Sequence, residues 1–329
     1  MKKRILSGMR PTGKLHLGHY FGVLQNWVAL QDEFDCFFMV ADWHALTSEW
    51  KNPAAIPQHT REVAADWIAA GLDPARSTIF VQSAVPQHSE LFLLLSCYTP
   101  LGWLERVPTY KEAQQNLADK GVDNYAFLGY PVLQAADILL YKGNVVPVGE
   151  DQLPHLELTR EIVRRFNGNV GVEVFPEPQA KLTPTPRLMG LDGRRMSKSY
   201  GNTIDLSEDL ASVEKKVRAM FTDPNRKKRS DPGNPDICNV FSFHGMLNVK
   251  ERVPEIQAQC RSAQIGCVEC KGELAKKMVD WLRPIQERRR ELLADPKKLD
   301  DLLEAGNARA RSIAEQTMKE VRQAVFKTR

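Results

Sequence analysis

The stretch Arg4-Ile5-Leu6-Ser7-Gly8-Met9-Arg10-Pro11-Thr12-Gly13-Lys14-Leu15-His16-Leu17-Gly18-His19 decides the fold. Arg4 to Ser7 reads as a short strand. From His16 to about Asp32 the apolar residues Phe21, Leu24, Trp27, Val28 and Leu30 recur at helical spacing. A strand that opens through glycines into a helix N-terminus suits a phosphate, because free N–H groups and the positive end of the helix dipole point at the turn. Gly8 and Gly13 let the backbone come close to a ligand, and Gly18 does the same one turn into the helix. His16 and His19 face the same way and add imidazole groups that phosphate oxygens can use. A plain strand–helix turn with surface histidines fits this stretch equally well on its own.

Downstream, Asp35 to Asp42 is a continuous apolar run of strand length, suited to a parallel strand covered on both faces. Trp43 and His44 follow at its C-terminal end, where ligands bind in open α/β sheets. Residues 53–70 read as a helix with Gly71 as its cap, Ser77 to Gln82 as a third strand and residues 88–98 as an apolar helix. Cys36 and Cys97 are expected in the core. This βαβαβ alternation predicts an α/β fold with a doubly wound parallel sheet. The segment from Pro100 to about Lys120, with Arg106, Tyr110 and Lys111, reads as an insertion over the sheet.

Tyr130-Pro131-Val132-Leu133-Gln134-Ala135-Ala136-Asp137-Ile138-Leu139-Leu140-Tyr141 reads as a helix in apolar surroundings. A buried Asp137 needs a donor, either a protein N–H or a ligand N–H or O–H. Asn144 to Gly149 is the next strand. Glu150, Asp151 and Gln152 then open a helix over 152–166, where carboxylates suit either the helix dipole or a ribose. Residues 177–186 read as a proline-rich extended connector. Beyond residue 205 helical periodicity takes over, with helices expected at 207–221, 272–293, 297–304 and 307–326, and Pro284 kinking or dividing the second of these. Arg226-Lys227-Lys228-Arg229 is a basic loop, open to solvation or to phosphate contact.

Cys238, Cys260, Cys267 and Cys270 follow a C-x21-C-x6-C-x2-C spacing. Four thiolates in one compact region are the ligand set of an iron–sulfur cluster or a structural zinc, and spacing alone does not choose between them.

Arg195-Met196-Ser197-Lys198-Ser199 lies in a loop opened by Gly190-Leu191-Asp192-Gly193. Its residues suit a mobile element closing over a substrate, with Lys198 as a point charge for triphosphate. His-Leu-Gly-His near the N-terminus together with Met-Ser-Lys-Ser much later resembles the paired motifs of class I aminoacyl-tRNA synthetases. Ser7 to Gly13, Tyr130 to Asp137 and Val148-Gly149-Glu150-Asp151-Gln152 narrow the resemblance to the bacterial tryptophanyl-tRNA synthetase family, over essentially the whole chain. The four-cysteine pattern is similar to a subset of that family with a 4Fe–4S cluster. Two positions depart from it: Leu6 stands where many members have phenylalanine, and Arg195 replaces the first lysine of the loop.

The resemblance implies a Rossmann-type catalytic domain over 1–186, a mobile loop and connector over 187–204, and a mostly α-helical anticodon-binding domain with the cluster over 205–329. It implies that Asp137 accepts the indole N–H of L-tryptophan, that Gln152, Tyr130 and His44 hold its amino and carboxylate groups, and that Gly8, Ala41, Val146 and Val148 line the pocket. For ATP it implies Arg10, Pro11, Thr12, Gly18 and His19, with Gly149, Glu150 and Asp151 on the ribose side. Leu188 and Met189 would touch adenine, and Arg195, Met196, Ser197, Lys198 and Ser199 the phosphates. Lys198, His16 and His19, with Mg²⁺, would carry catalysis. The implied partner is tRNA(Trp), and the implied assembly a homodimer.

Tyrosyl-tRNA synthetases share the architecture, with an aspartate that meets a phenol. A non-catalytic paralogue binding tRNA or protein would keep the fold but lose motif residues, whereas His16, His19, Lys198 and Gln152 are all present here. A nucleotidyl-transfer enzyme of the same superfamily would not need the long helical half. The 329 residues can hold two domains, and 43% hydrophobic with 26% charged residues is ordinary for a globular protein. A net charge of +4 leaves nucleic-acid affinity to local patches. No apolar run reaches the roughly 18 residues of a membrane span. The start reads as strand rather than signal sequence, and six cysteines in such a chain point away from a disulfide scaffold. The expected location is the cytoplasm.

Overall fold

The computed structural model describes residues 2–108, 110, 124–182 and 188–327. Lys111 and Lys120 of the expected insertion lie outside these residues, as does the end of the proline-rich stretch. Five parallel strands form one sheet in the order β3-β2-β1-β4-β5: β1 (Arg4–Met9), β2 (Asp35–Val40), β3 (Ser77–Val81), β4 (Val145–Val148) and β5 (Gln179–Leu182). Ile5 pairs with Cys36 on one side and Val145 on the other. The order reverses at β1, which is the doubly wound switch point expected of the alternation. β2 is buried at every position after Asp35, as its unbroken apolar run requires.

The helices are α1 (Leu17–His19), α2 (Gln25–Leu30), α3 (Asp42–Glu49), α4 (Ile56–Ala69), α5 (Gln87–Tyr98), α6 (Leu101–Leu104), α7 (Tyr125–Leu140), α8 (Leu153–Val170), α9 (Leu210–Ala219), α10 (Asn239–Leu247), α11 (Arg252–Arg261), α12 (Cys267–Ala294) and α13 (Pro296–Phe326). A π-helical turn, Tyr20–Leu24, joins α1 to α2. Asn124 caps α7 by accepting the Phe127 N–H, and the helix continues through Pro131. Among the described residues no helix is long and apolar enough to cross a membrane.

The chain forms two compact units. The first holds residues 1–13, 26–184 and 292–329; the second holds 14–25 and 185–291. These units cut across the linear partition at 186 and 204, because α13 returns to the first unit. The core of the first unit joins Phe37, Met39 and Phe80 of the sheet to Leu91 and Leu95 of α5, Ile138 of α7, Ile162 of α8, and Ala310, Ala314 and Met318 of α13.

Several expectations are corrected. The connector at 177–186 contains β5, which pairs with β4 and leaves its side chains half exposed as an edge strand. Pro284 lies inside an unbroken α12, and α13 is one helix rather than two. α10 and α11 were not expected. Cys36 is buried as expected, but Cys97 is exposed, its thiol turned onto the Leu93 carbonyl one turn back in α5.

Candidate active site

In the first unit, the segments that follow β2 and β3 bring polar groups onto α7. Asp137, on α7, is 2% exposed. Its Oδ2 is 2.8 Å from His44 Nε2. Its Oδ1 accepts from Gln82 Nε2 at 2.9 Å and lies 2.6 Å from His88 Nδ1. His88 Nε2 is 2.8 Å from the Tyr141 hydroxyl. Burial alone would raise the Asp137 pKa, but the hydrogen bond from His44 and the charge and hydrogen bond of His88 outweigh it and hold the carboxyl below its usual range. Burial, then the Asp137 charge, push the Tyr141 phenol well above its usual value. The expectation that Asp137 needs a donor is met three times over by side chains.

The neighbouring candidates extend from this centre. The His44 and Tyr130 rings stand 6.5 Å apart, and the Tyr130 hydroxyl is 2.7 Å from His155 Nε2. His155 feels the Asp151 charge, although burial dominates and lowers its pKa. Gln152 Nε2 donates to Asp151 Oδ2 at 3.0 Å in the turn Glu150–Gln152 after β4. Ala41 is the buried N-cap residue of α3, Val146 and Val148 are buried in β4, and Gly8 is exposed near the end of β1. Arg10 is exposed, Pro11 buried and Thr12 half-buried in the turn after β1, which Gly13 completes at φ 107°. Gly149 and Glu150 hold the corresponding turn after β4.

The second unit holds both of the motifs that lie far apart in sequence. The Leu17 N–H donates to the Ile204 carbonyl at 2.9 Å and the Leu206 N–H to the Leu15 carbonyl at 2.8 Å, bridging His16 and Asp205. His16 is the N-cap of α1: its Nδ1 accepts the Gly18 N–H at 3.1 Å, while its own N–H donates to His19 Nδ1 at 3.1 Å. The Gly18 N–H is thereby engaged within the turn itself. Burial and the Lys198 charge lower His16 to about 4. Burial, His16 and Lys198 lower His19 to about 3. Both rings are neutral at neutral pH and both Nδ1 atoms accept, so the protons sit on Nε2. The two Nε2–H groups, with the Lys198 charge that both rings feel, supply donors and positive charge of the kind an anion takes.

Asn202, which the sequence did not single out, organises the Met-Ser-Lys-Ser loop. It is buried, accepts the Ser197 N–H at 2.8 Å, and donates to Asp192 Oδ1 at 2.8 Å and to the Arg195 carbonyl at 3.1 Å. Asp192 is drawn down to about 2, first by Asn202 and then, against desolvation, by Arg194. Met189 bridges Arg195, and the Met196 N–H donates to the Leu188 carbonyl at 2.9 Å. Leu188 and Met196 are buried; Met189, Arg195, Lys198 and Ser199 are exposed, and Ser197 Oγ lies 2.8 Å from Ser199 Oγ.

The four cysteines also lie in the second unit. Cys238 is the N-cap residue of α10, Cys260 lies in the last turn of α11, and Cys267 and Cys270 share a face of the first turn of α12. Burial raises Cys238 and Cys260 and pushes Cys270 up to about 12, and each thiol feels the charge of its fellows. Arg226 Nη1 reaches Cys260 Sγ at 4.0 Å and Cys267 Sγ at 3.8 Å. Among the described residues no group of three or more His, Cys, Asp or Glu side chains is placed to hold a metal ion.

The family described as tRNA synthetases class I (W and Y) matches residues 1–283. The tryptophan–tRNA ligase of Thermotoga maritima is 51% identical over 324 residues, covering 98% of each chain. That of Aquifex aeolicus is 46% identical, covering 98% of this chain and 99% of the relative. Among solved structures, tryptophanyl-tRNA synthetase from Campylobacter jejuni, complexed with ADP and tryptophan, matches at TM-score 0.90 and 33% identity over 98% of this chain and 99% of that one. Near-complete coverage at such identity, on a fold that carries both motifs, shows that this chain belongs to the tryptophan–tRNA ligases of class I.

Proposed function

We propose how the residues of this chain divide the tryptophan–tRNA ligase reaction. In the first step the tryptophan carboxylate attacks the α-phosphate of ATP, giving tryptophanyl-adenylate and pyrophosphate. In the second, the 2′-hydroxyl of the terminal adenosine of tRNA(Trp) attacks the adenylate carbonyl. Neither step needs a protein nucleophile.

Asp137 accepts the indole N–H. A site built around a buried polar partner rejects amino acids that lack the matching group far better than shape alone does. Tyr130, His44 and Gln152 hold the polar end of the amino acid, and Gly8, Ala41, Val146 and Val148 form the walls. His16 and His19 donate Nε2–H to phosphate oxygens, and Lys198 adds charge with Arg195, Ser197 and Ser199 around it. Catalysis in this scheme is positioning and electrostatic stabilisation. ATP enters as its Mg²⁺ complex. Arg10, Pro11, Thr12, Gly18, Gly149, Glu150, Asp151, Leu188, Met189 and Met196 complete the nucleotide contacts.

The observation that carries the reading is the interlocked His16–His19 pair, in which both Nδ1 atoms accept backbone N–H groups and the ring protons therefore sit on Nε2, with the Lys198 charge felt by both rings. Amino-acid-dependent ATP–pyrophosphate exchange tests it. Exchange is expected with tryptophan alone and is expected to vanish in Asp137→Ala. Exchange with tyrosine would overturn the role of Asp137.

The four cysteines are read here as ligands of a 4Fe–4S cluster, with a structural zinc ion as the alternative. One zinc draws its thiolates to about 2.3 Å, whereas a cubane spreads its four thiolates over four irons. Cys238, Cys260, Cys267 and Cys270 would hold the cluster, which when bound supplies covalent bracing between α10, α11 and α12. The helical region around it, with the basic loop at 226–229, would bind the anticodon part of the tRNA. The proposed assembly is a homodimer, supported by the exposed Leu93 and Leu101 of the first unit, and the proposed compartment is the cytoplasm.

A further inference from the structure

His88 has no role in the scheme above, yet it is fully buried and joined to the most important carboxylate of the first unit. It opens α5 and is 0% exposed. Its ring stacks on Phe80 at 6.1 Å, and its partner Tyr141 stacks on Phe37 at 5.1 Å. Histidine among phenylalanines in a core has a solvation cost that only a defined set of hydrogen bonds offsets. Here the set runs Tyr141–His88–Asp137.

The proton positions follow from the partners. Nδ1 of His88 faces a carboxylate oxygen, which accepts, so Nδ1 carries hydrogen. The Tyr141 hydroxyl at Nε2 fixes the ring plane in either charge state of the ring. Three side chains from different segments face the Asp137 carboxylate, His44 of α3, Gln82 after β3 and His88 of α5, and Tyr141 after α7 stands behind His88. A carboxylate offers about four lone-pair sites. His88 and Gln82 use both sites of Oδ1, and His44 uses one of Oδ2. One acceptor site is left, and it is on Oδ2.

We propose that His88, oriented by Tyr141, is a positioning residue that saturates Asp137 Oδ1 and so leaves a single Oδ2 acceptor aimed at the indole N–H of tryptophan. The inference rests on the reading of Asp137 as the indole acceptor and adds the reason why that acceptor is specific. With Oδ1 filled, the carboxylate cannot rotate to offer a second site to another donor. A phenol or a hydroxyl entering the pocket finds one acceptor in one direction.

The test is the discrimination ratio between tryptophan and β-(3-benzothienyl)alanine, in which sulfur replaces the indole N–H. The ratio of kcat/KM is read in ATP–pyrophosphate exchange. His88→Leu is expected to lower the ratio by about tenfold or more through the KM for tryptophan, with kcat and the KM for ATP within about threefold of wild type. His88→Asn, whose amide N–H replaces Nδ1–H, is expected to keep the ratio within about threefold of wild type. Tyr141→Phe removes one oxygen from an otherwise intact core and is expected to lower the ratio severalfold, so it carries the test if His88→Leu does not fold. A His88→Leu or Tyr141→Phe ratio equal to wild type, or a His88→Asn ratio as low as His88→Leu, overturns the proposal. Asp137→Ala, in which discrimination is read as the ratio of equilibrium dissociation constants for tryptophan and β-(3-benzothienyl)alanine because exchange is lost, separates the two levels. If it erases discrimination while the His88 and Tyr141 variants do not, Asp137 stands and His88 falls. If it leaves discrimination intact, both fall.

Discussion

His19 Nδ1 accepts the backbone N–H of His16 at 3.1 Å, so the second histidine fixes the residue that caps the helix. The two rings, 3.9 Å apart, act as one unit. His19→Asn can keep this acceptor but has no Nε2–H. It is expected to leave the fold intact and to lower kcat for pyrophosphate exchange about a hundredfold or more, the effect of deleting one oriented donor. His19→Ala is expected to lose in addition about 1 kcal/mol of stability with the cap.

The same pair gives a pH signature. Both histidines fold with depressed pKa values, about 4 for His16 and about 3 for His19. Below the unfolded value of roughly 6.5 the unfolded chain binds more protons than the folded one, so stability falls with pH. Above pH 7 their contribution is complete; from 6.5 down through 4 and 3 it is lost. Urea midpoints measured across this range are expected to fall more steeply in wild type than in His19→Asn, with parallel behaviour above pH 7.

Gly190 and Asn202 form one device under the Met-Ser-Lys-Ser loop. A Cβ on Gly190 would lie 2.2 Å from the Asn202 side chain. Asn202→Ala is expected to cost about 1–3 kcal/mol by orphaning the Ser197 N–H and its fellow partners, and to raise the KM for ATP. Gly190→Ala is expected to do the same by displacing the amide. The double variant is expected to be clearly less than additive in thermal unfolding, because both remove the same contacts.

Helical glycine to alanine normally stabilises a protein by about 1 kcal/mol. Gly306 in α13 reverses the sign. A Cβ there would lie 1.8 Å from the Ile79 carbonyl oxygen of β3. Gly306→Ala is expected to cost about 2 kcal/mol or more, read as a lower denaturation midpoint with an unchanged slope.

Anaerobically purified protein is expected to carry the visible chromophore of an iron–sulfur cluster and to lose it in Cys267→Ser together with thermal stability and tRNA affinity. Loss of colour with unchanged stability and affinity would remove the bracing role.

The sheet was readable because its strands are unbroken apolar runs between helices of clear period; β2 needs no tertiary information. β5 was not, because Gln179, Lys181 and the flanking prolines describe an exposed edge, which has no apolar signature. Asp137 stood out as a carboxylate in an apolar helix. His88, 49 residues earlier, did not, since one histidine ahead of Leu91 and Leu95 looks like any helix start until the fold brings it to its partner. Asn202 was hidden for the same reason: its bonds reach back to Ser197, Arg195 and Asp192 through loop geometry. Cys97 misled because neighbouring leucines hide which helix face is outward. The gap between the helices expected at 297–304 and 307–326 falls at Gly306, where the chain stays helical and the missing Cβ allows close approach to the Ile79 carbonyl.

Val81, the last residue of β3, donates its N–H to Asn307 Oδ1 at 2.9 Å across 226 residues of sequence. β3 is the outer strand, and α13 packs against it. A ribosome adding about 5–20 residues per second needs about 11 to 45 seconds to travel from one partner to the other. Throughout that interval the nascent sheet carries a bare edge, a template for pairing with neighbouring nascent chains. Translation that stops before residue 306 therefore releases a sheet without its cover, and such fragments are expected to aggregate rather than fold.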